Sequence, residues 1–265
     1  MNEPVRLLPQ AVRERLSTIC FGQRMYYLPE VDSTNRLASE LAKQGESEGT
    51  VVIADYQRRG RGRLDRKWES PPMKNLLFSV ILRPTGAPAD ILALTLAFST
   101  AISDVLSDML GQEILVKWPN DVVAGSRKLC GMLAESASRS GKSMFVIMGV
   151  GINVNAASED FNPSIRDTAA SCLTLSGEAL DRGEVLVNVL SAMESCYFRF
   201  REEGFGAFVD VYNDKLSIIG KTVSFTRGET VAKGKVLGVR PDGALMISPP
   251  KGKMILLYGE EISVV

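Results

Sequence analysis

Apolar and polar positions alternate along this chain in a way that separates strands from helices before any single motif is considered. The β-branched run Thr50 to Ala54 and the seven residues Leu76 to Leu82 each predict a buried strand, and Arg24 to Leu28 predicts another before them. Asp32-Ser33-Thr34-Asn35 offers several N-cap candidates for a helix to about Lys43. From Pro88 to Leu110 apolar residues recur at threes and fours (Ile91, Leu92, Leu94, Phe98, Ile102, Val105, Met109), the core-facing stripe of a long helix that Gly111 stops. A second stripe, through Leu186, Val189, Leu190, Met193, Tyr197 and Phe200, predicts a helix over Glu184 to Glu203. Shorter helices are expected near Ala11 to Thr18, flanked by Pro4 and Pro9 on the N-terminal side, near Thr168 to Leu175, and over Phe205 to Asn213.

Three further strands carry polar residues that a plain core strand would not. Ile114 to Asp121 reads as a central strand interrupted by Pro119, with Lys117, Trp118, Asn120 and Asp121 close together. A β-turn explains Pro-Asn-Asp but leaves Lys117 and Trp118 as functional candidates. Arg127 to Glu135 begins with Lys128 and contains Gly131, and a glycine inside a strand marks close approach of a ligand or another backbone. Met144 to Val150 runs into Gly149-Val150-Gly151-Ile152-Asn153-Val154-Asn155, where no helical pattern opens at the glycines, so a dinucleotide site is rejected. Asn153 and Asn155 would share one face. Beyond Leu216 five short strands (Lys221–Phe225, Val231–Val239, Ala244–Ser248, Met254–Tyr258, Ile262–Val265) alternate with turns at Arg227-Gly228, Pro241-Asp242-Gly243 and Gly252. The pattern predicts an α+β fold of two domains, 1–215 and 216–265, the second a small SH3-like barrel.

Charge changes the picture at one place. The net charge is zero and the sequence pI about 6.4, so no overall field draws nucleic acid or an anionic membrane. The basic residues gather in Tyr56 to Pro72, YQRRGRGRLDRKWESPP, between two strands. There Arg58, Arg59, Arg61, Arg63, Arg66 and Lys67 face only Asp65 and Glu69, and Gly60 and Gly62 let the backbone approach a ligand. The loop suits a phosphate-bearing molecule with a flat ring over Trp68; a solvated basic hairpin or an RNA-holding patch is the alternative. The count of zero histidines removes Ser-His-Asp and Cys-His schemes together with most zinc hydrolase sites. Four cysteines without CxxC spacing read as buried free thiols in a reducing compartment. With no signal peptide and no stretch of membrane-spanning length, the expected location is the cytoplasm.

These pieces point to phosphate chemistry stabilised by cations. The Walker A pattern and the kinase HRD and DFG elements are absent, which leaves nucleotidyl transfer: a carboxylate attacks the α-phosphate of ATP and pyrophosphate leaves. GRGRLDRKWESPP, KWPND, RKLCGMLAE and GVGINVN, with EVDSTN upstream and the tail GEEIS, resemble in order and spacing the motifs of the biotin protein ligases. The resemblance covers nearly the whole chain. It implies a class II synthetase-like mixed sheet with an SH3-like tail, formation of biotinyl-5′-AMP from biotin and ATP with Mg2+, and transfer of biotin to a lysine of a biotin carboxyl carrier protein.

On that resemblance Ser33, Thr34, Asn35 and Gln57 bind biotin, with backbone around Gly60 and Arg61, and with Lys128 and Gly131. Arg63, Arg66, Lys67, Trp68, Asn120 and Asn153 serve ATP. Lys128, Arg63, Asp121 and Arg66 carry the catalysis, with Asp121 the candidate for Mg2+. The family implies a homodimer through the central sheet and no membrane. The repressor members carry an N-terminal winged helix for which this chain has no room, so no nucleic-acid partner is expected. Asp65 departs from the family's usual glycine. A lipoate ligase of the same architecture would lack the GRGR loop. A non-catalytic RNA- or peptide-binding module would show salt-sensitive binding indifferent to biotin.

Overall fold

The structure, a computed structural model, describes residues 7–84, 90–139, 142–227 and 230–265. Pro4, the expected helix start at Pro88 and Gly228 of one expected turn lie outside the described residues. In order come α1 (Pro9–Arg15), β1 (Met25–Leu28), α2 (Thr34–Lys43), β2 (Val51–Ala54), β3 (Leu76–Leu82) and α3 (Asp90–Leu110). β4 (Leu115–Lys117), β5 (Asp121–Ala124), β6 (Arg127–Arg139), β7 (Lys142–Ile152), α4 (Cys172–Ser176), α5 (Arg182–Glu203) and α6 (Val209–Lys215) follow. The chain ends in β8 (Thr222–Arg227), β9 (Thr230–Val239), β10 (Leu245–Ser248), β11 (Ile255–Leu257) and β12 (Ile262–Val264).

β2 and β3 are buried at every position because helices cover both faces of their sheet. That mixed sheet has seven strands in the order β1-β2-β3-β7-β6-β5-β4, with β1 parallel to β2 and every other pair antiparallel. One face sends Leu76, Phe78, Val80, Val146, Met148, Val150 and Met132 into the main core with α3 and α5. The other sends Val52, Ile81, Phe145 and Ile147 against Ala38 and Ala42 of α2. Farther along this second face the apolar residues give way to Ser79, Gly131, Gly149 and Gly151, and a depression opens where α2 no longer covers the sheet.

Three expectations change. Ile91–Leu110 of α3 is long and apolar enough to cross a membrane by length and composition, contrary to the sequence reading; it is packed into the core against the sheet and α5. β4 is an edge strand, not a central one: it is only three residues long, and its outer side is covered where Ser217 N–H donates to Val116 O at 2.9 Å. The short helix expected near Thr168 begins at Cys172, where Ser171 caps it by accepting from Thr174 N–H at 3.0 Å.

The second sheet is antiparallel, in the order β11-β10-β9-β8-β12. Its inner residues Val223, Phe225, Val236, Leu245 and Ile247 belong to the same apolar cluster as the large sheet. Trp118, fully buried, ties the two by donating from Nε1 to Gly243 O at 3.1 Å. Cys130, Cys172 and Cys196 are buried, Cys20 is half-buried, and all are free; burial pushes the Cys172 and Cys196 thiols up to about 12.

Candidate active site

Strict alternation would put Lys128 and Gly131, three residues apart on β6, on opposite faces of the sheet. The register with β5 shifts at this point: Val122 pairs with Cys130 and Val123 with Lys128, leaving Leu129 as an extra residue. The bulge turns Lys128 onto the face of Gly131. There its Nζ lies 2.5 Å from Oδ1 of Asp121, which pairs with Gly131 across the ladder. Lys128 Nζ also sits 5.5 Å from the centre of a Trp68 ring, a cation–π contact.

Gly131 and Gly151 face each other directly across β6 and β7. A Cβ at Gly131 would lie 2.9 Å from Trp68 Cζ3, and one at Gly151 would lie 2.6 Å from Trp68 Cε2. The room expected above Gly131 is therefore taken by the protein's own indole, which forms one wall of the cleft. Trp68 Nε1–H is buried there without a hydrogen-bond partner among the described residues.

The basic loop is a small hairpin. Trp68 N–H donates to Gly60 O at 3.0 Å and Gly62 N–H to Arg66 O at 2.6 Å, while Arg61 bridges Lys67. A side chain at Gly60 would overlap the Trp68 carbonyl, so the hairpin can close only on glycine there. Leu64 and Asp65 make its turn with φ of +53° and +56°. Asp65 thus adopts the left-handed conformation that a glycine would take at that position. Arg63 reaches Asn120 Oδ1 at 3.1 Å and the Gly259 carbonyl, and Arg66 pairs with the Glu261 carboxylate. Burial lowers the Arg63 pKa, with Asp121 pulling the other way.

At the far end, α2 is capped from outside. Ser33 makes no side-chain cap bond; Gln57 Oε1 instead accepts from Thr34 N–H at 2.8 Å and from Thr34 Oγ1 at 3.1 Å. Ser79 Oγ lies 2.8 Å from Thr34 Oγ1 and 2.6 Å from Asn35 Oδ1. Gly149 leaves the space that the Asn35 carboxamide fills.

Ser33, Thr34, Asn35, Gln57, Arg61, Arg63, Arg66, Lys67, Trp68, Asn120, Asp121, Lys128 and Gly131 thus converge on one solvent-open cleft, with Lys117 beside them. Gly60 stands behind it in the hairpin. Asn153 is not among the lining residues: its buried carboxamide donates to Ala170 O at 3.0 Å and accepts from Asn75 at 3.2 Å. Asn155 likewise holds Leu180. Trp118 also borders the cleft, with its indole buried in the core. The sequence reading missed Ser79, Glu135, Glu260 and Glu261. Ser79, a lone hydroxyl in an apolar strand, was a signal; the glutamates stood only as letters within RKLCGMLAE and GEEIS, with no role attached. No group of three His, Cys, Asp or Glu side chains among the described residues is placed to hold a metal.

Residues 27–153 match the model of the biotin/lipoate A/B protein ligase family. The bifunctional ligase/repressor BirA of Bacillus spizizenii is 32% identical over 252 residues, 95% of this chain and 78% of that protein. The biotin–[acetyl-CoA-carboxylase] ligase of Mycobacterium tuberculosis is 32% identical over 211 residues, 76% of each chain. The biotin protein ligase of Aquifex aeolicus, solved with biotin and ATP, superposes with a TM-score of 0.79 at 32% identity, covering 92% of this chain and 100% of that one. With fold, motif order and extended sequence identity in agreement, the chain belongs to the biotin protein ligase family.

Proposed function

We propose that this protein activates biotin with ATP, forming biotinyl-5′-AMP and pyrophosphate, and then passes the biotinyl group to a lysine of a biotin carboxyl carrier protein. The observation that carries the reading is the bulge at Leu129, which brings Lys128 and Asp121 to the glycine floor beneath Trp68. In the first step two anions must meet, the vitamin's carboxylate and the α-phosphate. Lys128 stands where it can bridge them, and Arg63 and Arg66 meet the phosphates. Trp68 offers its face to adenine, its orphan Nε1–H to an acceptor on the ligand, and Asn120 completes the wall. Thr34, Gln57 and the Gly60–Arg61 backbone take the ureido ring at the opposite end. Mg2+ needs only one or two carboxylates when phosphates and water supply its remaining ligands, and Asp121 is the carboxylate we assign to it.

In the second step the carrier lysine must lose a proton. With a pKa of about 10.4, presenting it neutral at pH 7 costs about 4–5 kcal/mol. Asp121 or the departing adenylate accepts that proton, and the amine attacks the acyl carbon as AMP leaves. We assign residues 1–215 to a catalytic domain of class II synthetase type and 216–265 to an SH3-like domain that supports it. We also place a homodimer contact through the central sheet, at its edge strand β1, in a cytoplasmic setting.

The test is direct: the purified protein with magnesium and ATP is given biotin or lipoate, and pyrophosphate release and the acyl-adenylate are followed. Biotin-dependent release is expected. Release with lipoate alone, or none with either, overturns the reading.

A further inference from the structure

We propose that Glu135 is a positioning residue that fixes the hairpin 60–68 over the cleft through Arg61; the inference rests on the biotin ligase reading. Glu135 lies four residues beyond Gly131 on β6, on the same face, at the outer end of the glycine floor. Both of its oxygens lie 2.8 Å from Arg61 Nη2, and Oε2 accepts from Asn35 Nδ2 at 2.7 Å. No other element places a carboxylate on Arg61 among the described residues.

The consequence follows from where Arg61 stands. Its backbone forms the hairpin rung opposite Lys67, and the next rung is Trp68 N–H to Gly60 O at 3.0 Å. A carboxylate that holds the Arg61 guanidinium therefore holds the rung that seats the indole on Gly131 and Gly151. Asn35 in turn holds the carboxylate. Its Nδ2 also reaches Leu133 O at 3.1 Å, and its Oδ1 meets Ser79 Oγ at 2.6 Å, so both ends of the amide are occupied. Asn35 is then a spacer between α2 and Glu135 rather than a group free to meet the vitamin. Through Ser79 and Thr34 the polar contacts continue to Gln57, whose Oε1 accepts from Thr34 N–H at 2.8 Å. A ligand polar group bound at Thr34 or Gln57 is linked by contiguous polar contacts to the arginine that closes the hairpin.

The test uses Glu135→Gln, Arg61→Gln and the double variant in the full-length protein. Each single change is expected to raise the KM for biotin about five- to tenfold while kcat stays within about twofold, the size of one partly exposed charge-assisted pair. The double variant is expected to be no worse than the poorer single, because both remove one interaction. Glu135→Gln should also speed amide exchange across residues 58–68 without lowering the melting temperature. Additive effects, a fall in kcat at unchanged KM, or unaltered exchange of the hairpin would each overturn the proposal. If the wild type neither binds biotin nor releases pyrophosphate, the functional reading fails on its own, and the exchange comparison still decides the link between Glu135 and Arg61.

Discussion

At the scale of single residues, the cleft is defined as much by missing side chains as by those present. Gly151 lies under the indole, and one methyl there would push Trp68 off its seat. Overpacking of this kind costs about 1–3 kcal/mol, so Gly151→Ala is expected to weaken biotin and ATP binding by about five- to a hundredfold. Trp68 emission should shift to the red at the same time; unchanged emission with unchanged affinity would place the indole elsewhere. The Lys128–Asp121 pair separates function from stability. Both side chains are partly exposed, so losing the pair costs the fold no more than about 1 kcal/mol. Asp121→Ala is expected to lower turnover by about a hundredfold or more, since a positioned proton acceptor contributes about 10²–10⁴. Wild-type rates in both half-reactions would remove Asp121 from the chemistry.

At the scale of elements, Gln57 shows how one end of the cleft and the start of α2 share one group. The helix has no side-chain cap of its own, and Gln57 supplies it from the loop. Gln57→Ala is expected to cost about 1 kcal/mol, a drop of about 2–4 °C in melting temperature. Gln57→Glu, which keeps the acceptor, should recover most of that loss; equal melting of the alanine variant and the wild type would contradict the capping role. Most elements were legible in the sequence to within a residue or two, because burial imposes its period on residues such as Leu76–Leu82 and Val185–Phe200. Lys128, Gly131 and the arginine loop were legible as chemistry out of place, a charge and a glycine in an apolar strand. The bulge at Leu129 was not, because it arises from the register between two strands rather than from either alone. Glu135 was equally hidden: within a strand, a glutamate that holds Arg61 reads the same as one that faces solvent. Asn153 misled for the opposite reason, since a polar residue beside glycines can serve the chain's own loops.

At the scale of the whole molecule, the two sheets share one apolar cluster and are pinned by Trp118. Trp118→Phe would leave the Gly243 carbonyl without its donor and open a void, a loss of about 1–3 kcal/mol. Proteolysis between residues 216 and 221 is expected to quicken as the smaller sheet loosens; cleavage at the wild-type rate would mean that the pin is dispensable. Distance along the chain is what hid the remaining contacts: Arg63 and Gly259 are 196 positions apart.

Arg63 and Arg66 already have partners in the Gly259 carbonyl and the Glu261 carboxylate, which precede the final strand. An incoming triphosphate would have to trade places with them, so nucleotide occupancy would be transmitted to β12. A fluorophore attached beyond Val265 is expected to change its anisotropy on ATP addition, and Glu261→Gln should abolish most of that change. A silent fluorophore in the wild type would mean that the tail stays put while the arginines are shared.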